Sequence, residues 1–124
     1  MACGCGKGQT VIITSCSGAA NTGLMADRVA RGLRADSVGS MICLAALGAD
    51  LSGYIESAKA ADRNLVIDGC SVGCGKKIYD KLGIPCEQVV MTDFGAEKGK
   101  TEITEDLVAR AVGDIESIMA ASGA

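Results

Sequence analysis

Four short apolar runs alternate with longer segments of helical character, and this alternation constrains the fold more than any other feature of the chain. The runs are rich in Val, Ile and Leu and recur about every 25 residues, which predicts buried strands with helical crossovers between them. Right-handed crossovers of this kind build parallel sheets that are covered on both faces. We therefore predict a three-layer α/β fold, Rossmann-like or flavodoxin-like, with a four-stranded parallel sheet in the order 2-1-3-4. The predicted strands span residues 11–14, 38–44, 64–68 and 88–92.

Helices are predicted between these strands from their caps and their apolar spacing. A first helix begins at residue 21 or 22 and ends near residue 34. Asp50 is placed to cap a second helix, Gly83 to stop a short third one, and Thr104 to begin the last. The second helix is expected to bury one face, formed by Leu51, Tyr54, Ile55 and Ala58.

Composition narrows the function classes. The 124 residues carry a net charge of −3 and include two Tyr, one Phe and no Trp, so the chain lacks the basic field and the stacking platforms of nucleic-acid-binding proteins. No apolar run reaches the roughly 18 residues of a membrane span, and no secretory leader pattern is present. We therefore expect a flexible Cys/Gly-rich arm over residues 1–10 and a single domain over residues 11–124. The protein is expected in the cytoplasm, with neither nucleic acid nor membrane as partner; no protein partner is indicated.

Cysteine dominates the chemistry that the chain can perform, because it has seven Cys and no His. The absence of His excludes Ser-His-Asp and Cys-His catalytic arrangements, and it requires any metal site to be built from Cys, with Asp or Glu as the remaining choice. In a reducing cytoplasm, cysteines at this density are typical of metal ligands or redox-active thiols rather than of structural disulfides.

Four of the cysteines follow predicted strands. Cys16 follows the first strand, Cys43 lies near the end of the second, and Cys70 and Cys74 lie in the Gly-rich loop after the third. Because open α/β sheets bind ligands at the carboxyl ends of their strands, we expect these thiols to meet at one edge. Four thiolates around one ion are typical of zinc sites. The pattern therefore predicts one bound zinc ion, in a site that is either closed and structural or sensory, or open and catalytic.

The same residues resemble the DGC (Asp-Gly-Cys) domain family over about residues 11–95. The resemblance is carried by Cys16-Ser17-Gly18, Cys43, Asp68-Gly69-Cys70, Cys74, Lys76-Lys77 and Thr92-Asp93. It implies a zinc-binding protein whose four ligands are the cysteines at positions 16, 43, 70 and 74, and it implies no particular physiological role. Family members often carry another Cys shortly after Lys-Lys, whereas the next thiol of this chain is Cys86, directly after Pro85. We therefore leave Cys86 out of the predicted site.

Asp68 and two cysteines of the amino-terminal arm are further candidates for roles at this site. Asp68 ends a buried strand, where an unpaired carboxylate is costly. We expect it to accept backbone N–H bonds and to support the site by orienting Cys16 or Cys70, rather than to bind the metal itself. Cys3 and Cys5 form a Cys-x-Cys pair that could bind soft metal ions or deliver one to the main site.

Three alternatives use the same thiols. A thiol-dependent oxidoreductase or oxyanion reductase could use Cys70 and Cys74, and an iron–sulfur protein would use all four ligands. Cys70 and Lys76 also imitate the loop of cysteine phosphatases, although those enzymes need Arg for bidentate contact with the phosphoryl group. Residues 95–101 resemble a nucleotide phosphate loop with one residue too few between its glycines, which favours chance similarity. The pattern thus favours metal binding over enzymatic chemistry and identifies no catalytic residue.

Overall fold

The computed structural model describes residues 9–122, in which four strands alternate with five α-helices. The strands are β1 (Val11–Ser15), β2 (Ser40–Met41), β3 (Arg63–Asp68) and β4 (Glu87–Val90). The helices are α1 (Asn21–Ala35), α2 (Leu44–Gly48), α3 (Ser52–Ala60), α4 (Cys74–Leu82) and α5 (Glu105–Ser122), and a 3-10 turn, Met91–Asp93, follows β4. The strands pair in parallel in the order β2-β1-β3-β4, which confirms the predicted sheet.

The register of the sheet brings the carboxyl ends of its strands level with one another. β1 and β3 pair along the whole of β1, ending with Ser15 opposite Ile67, and Asp68 lies opposite Val90 of β4. The backbone N–H of Cys16 extends this ladder by donating to the carbonyl of Ile67 at 3.0 Å. The loops that follow β1 and β3 therefore start side by side.

Helices cover both faces of the sheet, which confirms the predicted three layers. On one face α1 and α5 pack over β1 and β3 and form the α1–α5 layer. On the other face α2 and α4 pack over Val66 of β3 and form the α2–α4 layer. In the α2–α4 layer the buried hydroxyl of Tyr79 on α4 shares a hydrogen bond of 3.0 Å with the hydroxyl of Thr14 on β1. The largest buried apolar side chains of the α1–α5 layer are Ile13, Met25, Leu33, Leu65, Ile67, Met91 and Ile115. Within residues 9–122, no helix is both long and apolar enough to cross a membrane.

The extent predicted for the second strand is wrong. Only two residues, Ser40–Met41, form β2, and Cys43 already precedes helix α2, whose Leu44 and Leu47 are buried. A short apolar run fits a buried strand and a buried helix equally well, so periodicity alone did not separate the two. The alanines at positions 45 and 46 favour the helix that forms.

The role predicted for Asp50 is also wrong. Its backbone has a φ of 60°, in the left-handed region, and its N–H donates to the carbonyl of Leu47 at 3.1 Å. Asp50 therefore closes α2 instead of capping α3, and α3 begins at Ser52 without a side-chain cap. Aspartate tolerates the left-handed conformation better than most residues, which explains its place at this turn.

The face predicted to be buried on α3 is mostly not buried. Ala58 is buried and Ile55 is half-buried, but Leu51 and Tyr54 remain 48% and 41% exposed. Ala58 and Ile55 pack against the apolar cluster formed with α2 and α4, and the rest of the predicted face lies outside that cluster.

The helix ends predicted around the last two helices are confirmed. Gly83 ends α4 with a φ of 71°, a conformation that favours glycine. The hydroxyl of Thr104 accepts the N–H of Leu107 at 3.2 Å and so caps α5.

The amino-terminal segment is tied to the domain from Thr10 onward. The N–H and hydroxyl of Thr10 donate to the carboxylate of Asp62 at 2.7 and 3.1 Å. This contact lies at the end of the sheet opposite to the loops that follow β1 and β3. The arm predicted over residues 1–10 otherwise falls largely on residues 1–8, which lie outside the described residues together with Cys3 and Cys5.

Candidate functional site

The four cysteines of the predicted site belong to segments at the carboxyl edge of the sheet, which we call the thiol edge. Cys16 directly follows β1, Cys43 directly precedes α2, Cys70 lies in the loop after β3, and Cys74 is the first residue of α4. Cys16 and Cys70 are half-buried, whereas Cys43 and Cys74 are exposed. The topology therefore brings the four segments together, with two thiols inside the edge and two on its surface.

Cys16 ties the loops after β1 and β3 to each other. Its Sγ accepts the backbone N–H of Gly69 at 3.2 Å, and its side chain packs against the apolar clusters on both faces of the sheet. The next residue, Ser17, has a φ of 47°, which is uncommon for a residue other than glycine. The hydroxyls of Ser15 and Ser17 share a hydrogen bond of 2.8 Å that holds this turn.

Glycines allow the two loops to pack onto the first turn of α1. A Cβ at position 69 would lie 2.7 Å from the carbonyl carbon of Thr22, and one at position 23 would lie 2.4 Å from the carbonyl oxygen of Gly18. Both distances are shorter than a Cβ contact can be, and the atoms that block the space belong to the backbone. The Gly of the Asp-Gly-Cys segment is therefore explained by close packing of chain against chain.

Asp68 fixes the start of helix α4. Its carboxylate accepts the backbone N–H groups of Gly75 and Lys76 at 2.7 and 3.1 Å and the side-chain N–H of Gln88 at 2.9 Å. Asp68 is 1% exposed, and these bonds satisfy a charge that would otherwise be costly to bury. It thus accepts backbone N–H bonds as expected, but from α4, where they position Cys74 at the first helical residue.

The two exposed thiols lie at helix starts that approach each other. A Cβ at Gly75 would be 3.3 Å from Cδ2 of Leu44, so the residues that follow Cys74 and Cys43 are in near contact. The start of α2 and the start of α4 therefore carry their thiols on neighbouring parts of the thiol edge.

The donor set suits zinc, but the side chains are not assembled as ligands. Among residues 9–122, no three Cys, Asp or Glu side chains lie close enough together to hold a metal ion. The five cysteines in that range are free thiols. Zinc held by four thiolates brings the sulfurs to within about 4 Å of one another. Metal binding by these residues therefore requires their side chains and loops to converge.

A loop that no sequence pattern connects with this edge also reaches it. In residues 95–101, which we call the lysine loop, Nζ of Lys98 donates to Sγ of Cys70 at 3.4 Å. The amide of Asn21, at the start of α1, makes hydrogen bonds of 3.1, 2.8 and 2.7 Å with the backbone of this loop. The glycines of the loop were the only sequence signal, and they suggested a nucleotide loop. A contact between residues 28 positions apart leaves no trace in local spacing.

The bonding of Asp68 argues against the phosphatase alternative. A phosphate-binding loop needs free backbone N–H groups at the start of the following helix, but those of Gly75 and Lys76 are already bonded to Asp68. The ammonium of Lys76 pairs with the carboxylate of Asp80 at 3.0 Å and so points along α4. The resemblance to a phosphatase loop is therefore limited to the sequence.

Cys86 lies on a different part of the fold. It packs against the α2–α4 layer, and burial raises the pKa of its thiol. A thiol that stays protonated is a weak nucleophile and a weak metal ligand. Cys86 thus offers a control for experiments on the four thiols of the edge.

Comparison with known proteins identifies the family. The model of the DGC domain matches residues 12–115, which include all but the first residue of β1, together with Cys16, Cys43, the Asp-Gly-Cys segment and most of α5. No curated protein and no solved structure matches the chain. The match covers most of the chain and confirms the resemblance seen in the sequence. This protein therefore belongs to the DGC domain family.

Proposed function

We propose that the protein binds one zinc ion through the thiolates of Cys16, Cys43, Cys70 and Cys74. The observation that carries this proposal is the contact between Sγ of Cys16 and the N–H of Gly69, because it joins the loops that bear Cys16 and Cys70. Two thiol-bearing loops are thereby held together before any metal arrives.

Chemistry and family membership add further support. Thiolates are preferred ligands of zinc, and the chain has no His to take their place. The family resemblance implies the same four ligands. Cys43 and Cys74 are exposed and free, so they can turn toward an ion without breaking a buried contact. On this proposal the ion binds by drawing the two helix starts toward the pair formed by Cys16 and Cys70.

Metal content tests the proposal. The purified full-length chain is expected to be colourless and to contain about one zinc ion per chain, because a site of four thiolates takes one ion. Cys16→Ser and Cys70→Ser should abolish this binding. Cys86→Ser removes a thiol from outside the site, and this matched control should retain full stoichiometry.

Three outcomes would contradict the proposal. Full zinc content in the Cys16→Ser and Cys70→Ser variants would refute the ligand assignment. A brown protein that contains iron would favour a cluster held by the same thiols. A metal-free protein with a disulfide between Cys70 and Cys74 would favour the thiol oxidoreductase instead.

A further inference from the structure

The lysine loop has a defined shape of its own. Ala96 is buried in the α1–α5 layer. Within the loop the N–H of Glu97 donates to the hydroxyl of Thr101 at 2.8 Å, and the N–H of Thr101 returns to the carbonyl of Glu97 at 3.1 Å. Gly95 and Gly99 have φ values of 95° and 82°, which side-chain-bearing residues rarely adopt. These features hold residue 98 at the tip of a formed turn.

The amide of Asn21 fastens this turn to the thiol edge. Its Nδ2 donates to the carbonyls of Glu97 and Thr101 at 3.1 and 2.8 Å, and its Oδ1 accepts the N–H of Gly99 at 2.7 Å. An amide that uses donor and acceptor together fixes both position and orientation of the loop. Because Asn21 begins α1, the loop is held by the same helix start on which the thiol-bearing loops pack.

The charge of Lys98 faces the thiol edge without a carboxylate partner. Its Nζ lies 3.4 Å from Sγ of Cys70. In the part of the chain that the structure describes, Lys98 forms no ion pair, whereas the neighbouring Lys100 pairs with Glu97 at 3.4 Å. The two lysines of the loop are both exposed, and they differ in what their charge contacts.

We propose that Lys98 is a positioning residue of the thiol edge, which holds a fixed positive charge at Cys70 by means of the Asn21 clamp. This charge draws negatively charged ligands to Cys70, and it offsets the negative charge of the thiolates when zinc is bound. The second effect rests on the proposed zinc site, and the first concerns the metal-free protein, so the two are tested separately.

Two alkylating reagents measure the charge at Cys70 in the metal-free full-length protein. Iodoacetate, which is negatively charged, and iodoacetamide, which is neutral, both react with thiolates. The iodoacetate rate divided by the iodoacetamide rate at one cysteine is therefore independent of the thiolate population and reports local charge. At low ionic strength, Lys98→Met should lower this ratio at Cys70 about fivefold, the effect of one unit charge at about 4 Å in water. Added salt should reduce the difference in this ratio between the wild type and Lys98→Met. Peptide mass spectrometry gives the rates for each cysteine.

Matched variants control this measurement. Lys98→Arg keeps the charge and should keep the ratio at Cys70, and Lys100→Met should leave it unchanged. The ratio at Cys86 should stay constant in all variants. An unchanged ratio at Cys70 in Lys98→Met, or an equal fall in Lys100→Met, would overturn the proposal.

Zinc release to a chromogenic chelator tests the second effect. Loss of a supporting contact around a metal typically weakens binding by about tenfold or more, so Lys98→Met should release zinc about tenfold faster than Lys100→Met. Asn21→Ala removes the hydrogen bonds that hold the lysine loop, so it should also make zinc release faster. Equal release rates in the two Lys variants would overturn this part. If the wild-type protein binds no zinc, the proposed function fails, while the alkylation ratio still decides the role of Lys98.

Discussion

Gly69 shows how one residue can join the parts of the candidate site. Its N–H donates to Sγ of Cys16, and its Cα lies against the first turn of α1. A Cβ at this position would meet the carbonyl carbon of Thr22 at 2.7 Å and the backbone nitrogen of Gly23 at 2.8 Å. Neither atom can move without shifting α1. The residue is therefore required by space, since no larger side chain fits between the loop and the helix.

We expect Gly69→Ala to lower the free energy of unfolding by about 2 kcal/mol, because inserting a methyl group into a closely packed region forces the backbone to shift. Urea denaturation measures this change. Gly53→Ala is the matched control, since a Cβ at position 53 on α3 meets nothing within 4 Å. That substitution should be neutral or stabilise the protein by up to about 1 kcal/mol. Equal effects of the two substitutions would show that Gly69 is not constrained by packing.

At the scale of elements, the contact between α1 and α5 includes a pair of carboxyl groups. Asp36 caps the end of α1, and its neighbouring side chain, together with burial, raises the pKa of Glu116 on α5 from 4.5 to about 7. Oε2 of Glu116 is buried without a hydrogen-bond partner in the described part of the chain. The folded protein therefore holds a proton on Glu116 that the unfolded chain releases above about pH 4.5.

This pair makes stability depend on pH. Because the folded pKa lies above the unfolded value, the contribution of Glu116 is fully present below pH 4.5 and is lost as the pH rises toward 7. Glu116→Gln should remove this loss, so the variant should be more stable than the wild type at pH 8, by ~0.5 kcal/mol after allowance for solvent screening.

Urea denaturation at pH 5 and pH 8 measures the effect. Glu56→Gln, on the exposed side of α3, removes a carboxylate without touching the pair and serves as the control. An identical pH dependence in Glu116→Gln and the wild type would contradict the assignment.

The elements also differ in how far the sequence predicted them. β1 and β3 contain apolar runs that end in Gly-containing loops, so composition and turn residues predict the same strands. In α5 the capping Thr104 and the long periodic segment predict the same helix. The run from residue 38 to 47 is different, because it is apolar in both its strand and its helix. Burial on the α2–α4 layer, which is a tertiary effect, decides where β2 ends and α2 begins.

At the scale of the whole molecule, a parallel sheet gathers distant residues at the ends of its strands. Cys16, Cys43 and Cys70 follow three strands, so strand order alone predicted that their segments would meet. The contact of Lys98 was not predictable in this way. It comes from the path of a loop after the last strand, and that path depends on the amide of Asn21, which the sequence indicated only as a helix start.

X-ray absorption at the zinc edge tests the central claim most directly, because it counts the ligands of the bound ion. The full-length chain with Cys3→Ser and Cys5→Ser, which excludes the thiols of the arm, should show four sulfur ligands at about 2.3 Å. Cys86→Ser in the same background should leave this spectrum unchanged. Oxygen ligands at about 2.0–2.2 Å, or fewer than four sulfurs, would contradict a zinc site built from Cys16, Cys43, Cys70 and Cys74.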